Sequence, residues 1–132
     1  MTSTHELLIA AKNLISDPNH WTKNVGARNE RGTHVLSSHP SAVCFCMLGA
    51  LNAAAHRNRP QFDRMNLRDA SVKLLQVIPD SPMISMFNDR PSTTHSDVMK
   101  VFDDAIAATA PRNADEYPFQ AGDGVDSGSL GA

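Results

Sequence analysis

Apolar residues recur at helical spacing in four stretches of the chain, separated by prolines and turn residues. Leu7, Leu8, Ala11, Leu14 and Ile15 share one side of a helical repeat. Ser3 and Glu6 ahead of them have the spacing of a capping box. Asp17-Pro18 ends the run, because the residue before proline is pushed out of the α region. The spacing predicts a first helix over Thr4–Ser16. Asn19–Ser38 breaks the period. Within it Asn24-Val25-Gly26-Ala27-Arg28 and Thr33-His34-Val35-Leu36 flank the turn-like Asn29-Glu30-Arg31-Gly32, which predicts a short hairpin. A two-stranded hairpin is marginal unless it packs on something larger, and Trp21 is the residue expected to fasten it.

Pro40 suits the first position of a helix, where its missing amide hydrogen is not needed. Ser41–His56 then reads as a second helix, apolar nearly all the way round and therefore central and enclosed. Gly49 weakens that helix relative to alanine, which predicts that a neighbouring backbone comes close there. Asn66 is placed to cap a third helix over Leu67–Val77, with Asp69 in its first turn and Ala70, Val72, Leu74, Leu75 and Ile78 as its apolar positions. Ser81-Pro82 opens a short helical turn carrying Met83, Ile84, Met86 and Phe87, which closes at Asn88-Asp89-Arg90-Pro91. Thr94 and Asp97 cap a last helix whose face is Val98, Val101, Phe102, Ala105 and Ile106, ended by Pro111. The pattern predicts an all-α protein: a compact bundle of four main helices with a short helical turn and a small β-hairpin on one side.

Length and apolar content, 132 residues and 41 %, fit one modest core. Residues 1–111 read as a single helical domain with 11 Lys+Arg and 10 Asp+Glu, while residues 112–132 carry one Arg against four acids. The acidic tail 112–132 has few large apolar residues to offset the entropy of ordering, so disorder is expected there, with Tyr117 and Phe119 able to dock locally. A near-neutral body disfavours nucleic acid as the partner, although Arg57, Arg59, Arg64, Arg68 and Lys73 make a basic strip. Cys44 and Cys46 are the only cysteines. Two apart on a helix, they would face different sides and leave no disulfide. No charged and apolar leader opens the chain, and no run of about 18 apolar residues suggests a membrane span. The expected setting is a reduced cytoplasm, that of the producing or a phage-infected cell.

Trp21, then Phe45-Cys46-Met47-Leu48-Gly49-Ala50-Leu51, then Phe87-Asn88-Asp89, then Thr94-His95-Ser96-Asp97-Val98 leading to Phe102-Asp103-Asp104-Ala105-Ile106, form an ordered series. It resembles a family of small uncharacterised proteins of bacteria and their phages. These share a Trp, an aromatic-Cys-x-x-Gly-Ala segment, an Asn-Asp pair and a Thr-His start to the last helix. The resemblance spans Leu7–Ile106. It implies an all-helical fold and directs attention to Cys46, Asn88, Asp89 and His95. Two departures are His39 before Pro40, where an acid would cap better, and the second cysteine, Cys44.

The sharpest catalytic arrangement has Cys46 as nucleophile, His95 as base and Asp89 or Asn88 orienting the imidazole, as in a cysteine-dependent hydrolase or transferase. Against it, Cys46 sits six residues into the predicted helix between Phe45 and Met47, and thiols in apolar surroundings are inert. Asn88, Asp89, Thr94 and His95 also have a purely structural reading, as turn and cap residues with His95 donating to Asp89. His34, His39, Cys44, Cys46 and His56 lack the pair spacing of a metal site, so no metal or cofactor is expected. Met83, Ile84, Met86 and Phe87 lie on a segment too short to bury every side and form a candidate partner-binding patch. The leading expectation is a non-catalytic interaction protein, an accessory or phage-encoded factor that binds a host protein. Its rivals are the cysteine enzyme and nucleic-acid binding through the 57–73 strip.

Overall fold

The fold is that of a computed structural model, which describes residues 4–58 and 62–110. Its elements in order are α1 (Thr4–Leu14), a single 3₁₀ turn (Pro18–His20), β1 (Ala27–Arg28), β2 (His34–Val35), β3 (Cys44–Phe45), α2 (Met47–Arg57), α3 (Arg64–Val77), α4 (Ile84–Asp89) and α5 (His95–Ala108). Ser3, Arg59 and the tail 112–132 lie outside the described residues, and so do the expectations made for them.

Helices dominate, but the all-α bundle is corrected to a mixed fold. The three strands form an antiparallel sheet in the order β2-β1-β3. Ala27 is aligned with Val35 on one side and Phe45 on the other. The β1–β2 hairpin follows its turn residues: Asn29 Oδ1 accepts from the amides of Arg31 and Thr33, and Gly32 takes φ +81°, which suits a residue without Cβ. The third strand comes from the segment read as the start of helix two. Pro40 instead sits in a turn, where Ala42 N donates to His39 O at 3.1 Å. Val43 N then bonds Arg28 O at 2.9 Å, and the chain is extended until Cys46, which caps α2. The apolar run Ala42–Phe45 has the same composition in a buried strand as in a buried helix, and composition cannot tell them apart. Removing it also corrects the enclosed central helix: α2 leaves Asn52, His56 and Arg57 exposed.

Other boundaries shift for stated reasons. Asp63, not Asn66, caps α3, and Asn66 is the reciprocal member of a capping box, so the helix begins at Arg64. Thr94 and Asp97 form the reciprocal cap of α5. The core is one cluster. α1 buries Leu7, Leu8 and Ala11, with Ile15 just past its end, α2 adds Met47, Ala50, Leu51, Ala53 and Ala54, and α5 adds Val98, Val101, Phe102 and Ala105. Phe45 of β3 and Phe87 of α4 belong to the same cluster. α1 packs against α2, α3 and α5, and α2 against α4. On α3 only Ala70 and Leu74 are buried, whereas Val72 and Leu75 point outward with Met65. Val72 and Leu74, two apart, cannot share a helix face, so the apolar positions of this helix lie on two faces. At Gly49 an added Cβ would stand 1.9 Å from the carbonyl oxygen of Gly26, the close backbone approach that its position predicts. Among the described residues no helix is long and apolar enough to cross a membrane.

Candidate functional site

The polar residues singled out by the sequence meet where the end of α4 touches the start of α2 and the Trp21–Asn24 segment. An indole N–H drawn out of water needs an acceptor, and that of the half-buried Trp21 has one. Trp21 Nε1 donates to Asn88 Oδ1 at 2.8 Å, and the same oxygen accepts the amide of Met47, the first residue of α2, at 3.1 Å. Asn88 Nδ2 donates to Thr22 O at 3.1 Å and to Asp89 Oδ1 at 2.8 Å. This fully buried amide thus accepts twice and donates twice, which is its whole capacity. It also satisfies one of the amides that every helix start leaves without an internal partner. Asp89 Oδ1 accepts from Asn24 N at 2.8 Å, where Asn24 holds a left-handed φ of +74° that asparagine tolerates. Lys23 Nζ donates to Arg90 O at 2.6 Å and stands 5.4 Å from the centre of the Trp21 ring. Trp21 pairs with Phe45 in a parallel bridge, and Thr22 N bonds Phe45 O at 3.0 Å, so the segment also lies along the sheet.

Cys46 joins this arrangement from the other side. It lies at the cap of α2, not six residues inside it: its Sγ accepts from Gly49 N at 3.2 Å, and its own amide donates to Gly26 O at 3.1 Å. The residue is 8 % exposed. Burial pushes the thiol above its ordinary value, the charge of Asp89 adds to that, and the amides at the helix start pull the other way with less effect. His95 is used elsewhere. Its Nε2 donates to Ile15 O at 2.7 Å, and its ring lies 6.0 Å from that of Trp21. His95 therefore ties the start of α5 to the end of α1, which corrects the expectation that it pins the loop through Asp89. Among the described residues no hydrogen bond joins Cys46, His95 and Asp89 into a relay; each has another partner.

The remaining candidates are dispersed. Cys44 is half-buried and donates to Asn19 O at 3.1 Å, and both cysteines are free thiols. His34 and His56 are exposed on β2 and α2, and His39 Nδ1 accepts from Ser41 N. Among the described residues no group of three or more His, Cys, Asp or Glu is placed to hold a metal ion. The basic strip is divided: Arg57 donates to Ala42 O at 3.3 Å and lies over the Phe45 ring, whereas Arg64 and Arg68 stand exposed on α3. The candidate patch on α4 is split as well. Ile84 and Phe87 are in the core, at 7 % and 4 % exposure, and Met83 and Met86 are each 53 % exposed. Alongside lies a cleft of about 460 Å³ between the end of α3, α4 and α5, with Val77, Pro79, Phe87 and Val101 as apolar wall and Arg90 and Lys100 among its polar lining.

Trp21, Thr22, Asn24 and the Met47 amide complete the Asn88 cluster without having been assigned to it from the sequence. The one legible signal was the lone tryptophan, whose N–H must find an acceptor once buried. Together these features define a small, mainly helical domain with a three-stranded antiparallel sheet, knotted by a saturated polar cluster. The model of DUF6197, a family of unknown function, matches residues 1–108, and the chain belongs to that family. No curated protein and no solved structure matches it.

Proposed function

We propose that the protein is a non-catalytic interaction module that binds a protein partner through the outer side of α4. One observation carries this reading: α4 is anchored by Ile84, Phe87 and Asn88, yet leaves more than half of Met83 and of Met86 in water. Methionine is unbranched and polarizable and fits itself to varied apolar surfaces. The cleft beside α4 has room for a partner's side chain against Phe87 and Val101. Further support comes from the polar groups. Cys46, Asn88, Asp89 and His95 all bond within the fold, and none of the four lines that cleft. The bacterial or phage origin implied by the motif series would make the partner a host protein, and the setting a bacterial cytoplasm.

The test is capture of a partner from the producing cell, followed by binding of that partner in purified form to wild-type and Met83→Glu/Met86→Glu protein. Both side chains are exposed, so the variant is expected to fold as wild type and to lose at least tenfold in affinity, about 1.4 kcal/mol. Equal binding by the variant would reject α4 as the surface. Turnover of a substrate by the pure protein, abolished by Cys46→Ala with the fold intact, would establish the cysteine enzyme in its place. A salt-sensitive nucleic-acid complex lost on Arg64→Glu/Arg68→Glu would establish the third reading.

A further inference from the structure

Met65, Arg68, Val72 and Leu75 recur on α3 at intervals of three and four residues, the seam spacing with which one helix presents itself to another chain segment. The seam lies opposite the face that buries Ala70 and Leu74. Met65 is 55 % exposed, Val72 44 % and Leu75 37 %. Arg64 and Arg68, both exposed, line one edge of this apolar stripe, and the exposed Asp69 stands on the other. An occupant with apolar anchors for Met65, Val72 and Leu75 and acids for Arg64 and Arg68 fits this stripe.

The chain carries such a segment. Residues 112–132 hold four acids against one Arg, and Asp115-Glu116 stand directly before Tyr117-Pro118-Phe119. The path is short. α5 packs against α3. Val77 and Pro79, at the end of α3, line one cleft with Asp97, Lys100, Val101 and Asp104 of α5. The end of α3 thus lies beside α5, and the chain leaves α5 at Ala108. Tyr117 lies seven residues beyond Ala110, a reach of up to about 24 Å at the extended rise. The 14 residues of α3 span about 21 Å.

We propose that the outer face of α3 is the docking site of the chain's own Asp115–Phe119 segment, with the two aromatic rings on Met65, Val72 and Leu75 and the acids toward Arg64 and Arg68. The segment lacks the apolar content for a core of its own and would borrow one side of the folded domain. This proposal does not rest on the α4 reading, because it concerns a different helix and an occupant within the same chain.

The full chain, labelled with ¹³C at the methionine methyl groups, tests it. Docking places an aromatic ring against Met65, so its methyl signal is expected to be shifted upfield in wild type. Tyr117→Ala/Phe119→Ala is expected to move it to the position of a solvent-exposed methionine, and Arg68→Glu to move it the same way. The signals of Met83 and Met86 should stay put, and that of the buried Met47 reports that the fold is intact. Contacts seen by nuclear Overhauser effect between the Tyr117 or Phe119 ring and the Met65 or Val72 methyl groups are expected to persist on dilution. A Met65 signal unchanged in the double variant overturns the proposal. A ring-induced shift that disappears on dilution overturns it too, since the occupant would then be a second copy.

Discussion

At Cys46 one side chain meets two opposing influences. The first amides of α2 favour a negative charge on the sulfur, and the surrounding core opposes it. Burial prevails, and the neutral thiol is held above its ordinary value of 9.0. Because the folded value is the higher one, the stabilisation is complete below 9.0 and is lost as pH rises from there through the folded value, where the unfolded thiol ionises before the folded one. Chemical unfolding of wild type above pH 9.0 should therefore show a steeper loss of stability than Cys46→Ser, whose hydroxyl keeps the cap on Gly49 and does not titrate in that range. Parallel pH profiles for the two proteins would show that the sulfur is not protected by the core. The sequence placed this cysteine among apolar neighbours correctly, but put it inside a helix, because nothing local marks a sulfur as a cap.

At the level of elements, the junction of β3 and α2 depends on two glycines with opposite tolerances. A Cβ on Gly49 would collide with the Gly26 carbonyl, which is already engaged by the Cys46 amide; a Cβ on Gly26 would meet nothing within 4 Å. Overpacking of this kind costs about 1–3 kcal/mol, partly offset by the better helix propensity of alanine. Gly49→Ala should lower stability by about 2 kcal/mol, and Gly26→Ala should stay within about 0.5 kcal/mol of wild type, as read from urea unfolding midpoints. Equal effects would mean that the junction can spread. Gly49 could be read from the sequence as a close approach, since a glycine amid alanines in a helix has few other uses. Its partner could not, because Gly26 lies 23 positions earlier in a segment that gives no sign of contact.

For the molecule as a whole, Asn88 is the tie between helices and sheet. It binds Trp21 and Thr22 on the sheet side and Met47 at the head of α2. Removing it leaves a buried helix-start amide without its partner, at about 1–3 kcal/mol, and a half-buried indole N–H and carbonyl without theirs, at less. With partial relaxation, Asn88→Ala should lower stability by about 3 kcal/mol. Trp21 fluorescence and far-ultraviolet circular dichroism should keep a common midpoint as it falls, because sheet and bundle share one core. A fluorescence transition that separates from the helical one would show the Trp21 segment to be a local appendage. The Asn88-Asp89 pair stood out in the sequence, but as a turn. Its acceptor role depends on Trp21, 67 residues away, and on a helix start that the sequence placed elsewhere.

Local chemistry was enough for the caps of α5, the hairpin turn at Asn29–Gly32, the short α4 and the outline of the core, since each depends on residues within a few positions of one another. The Ala42–Phe45 run was different. Strand or helix was decided by the unpaired edge of β1 beside it, an edge that exists only once the hairpin has packed. The same holds for the outward turn of Val72 and Leu75 and for the partners of Cys46 and His95: which atom stands within hydrogen-bonding reach, and which face meets water, are properties of helices packed together and of no single one.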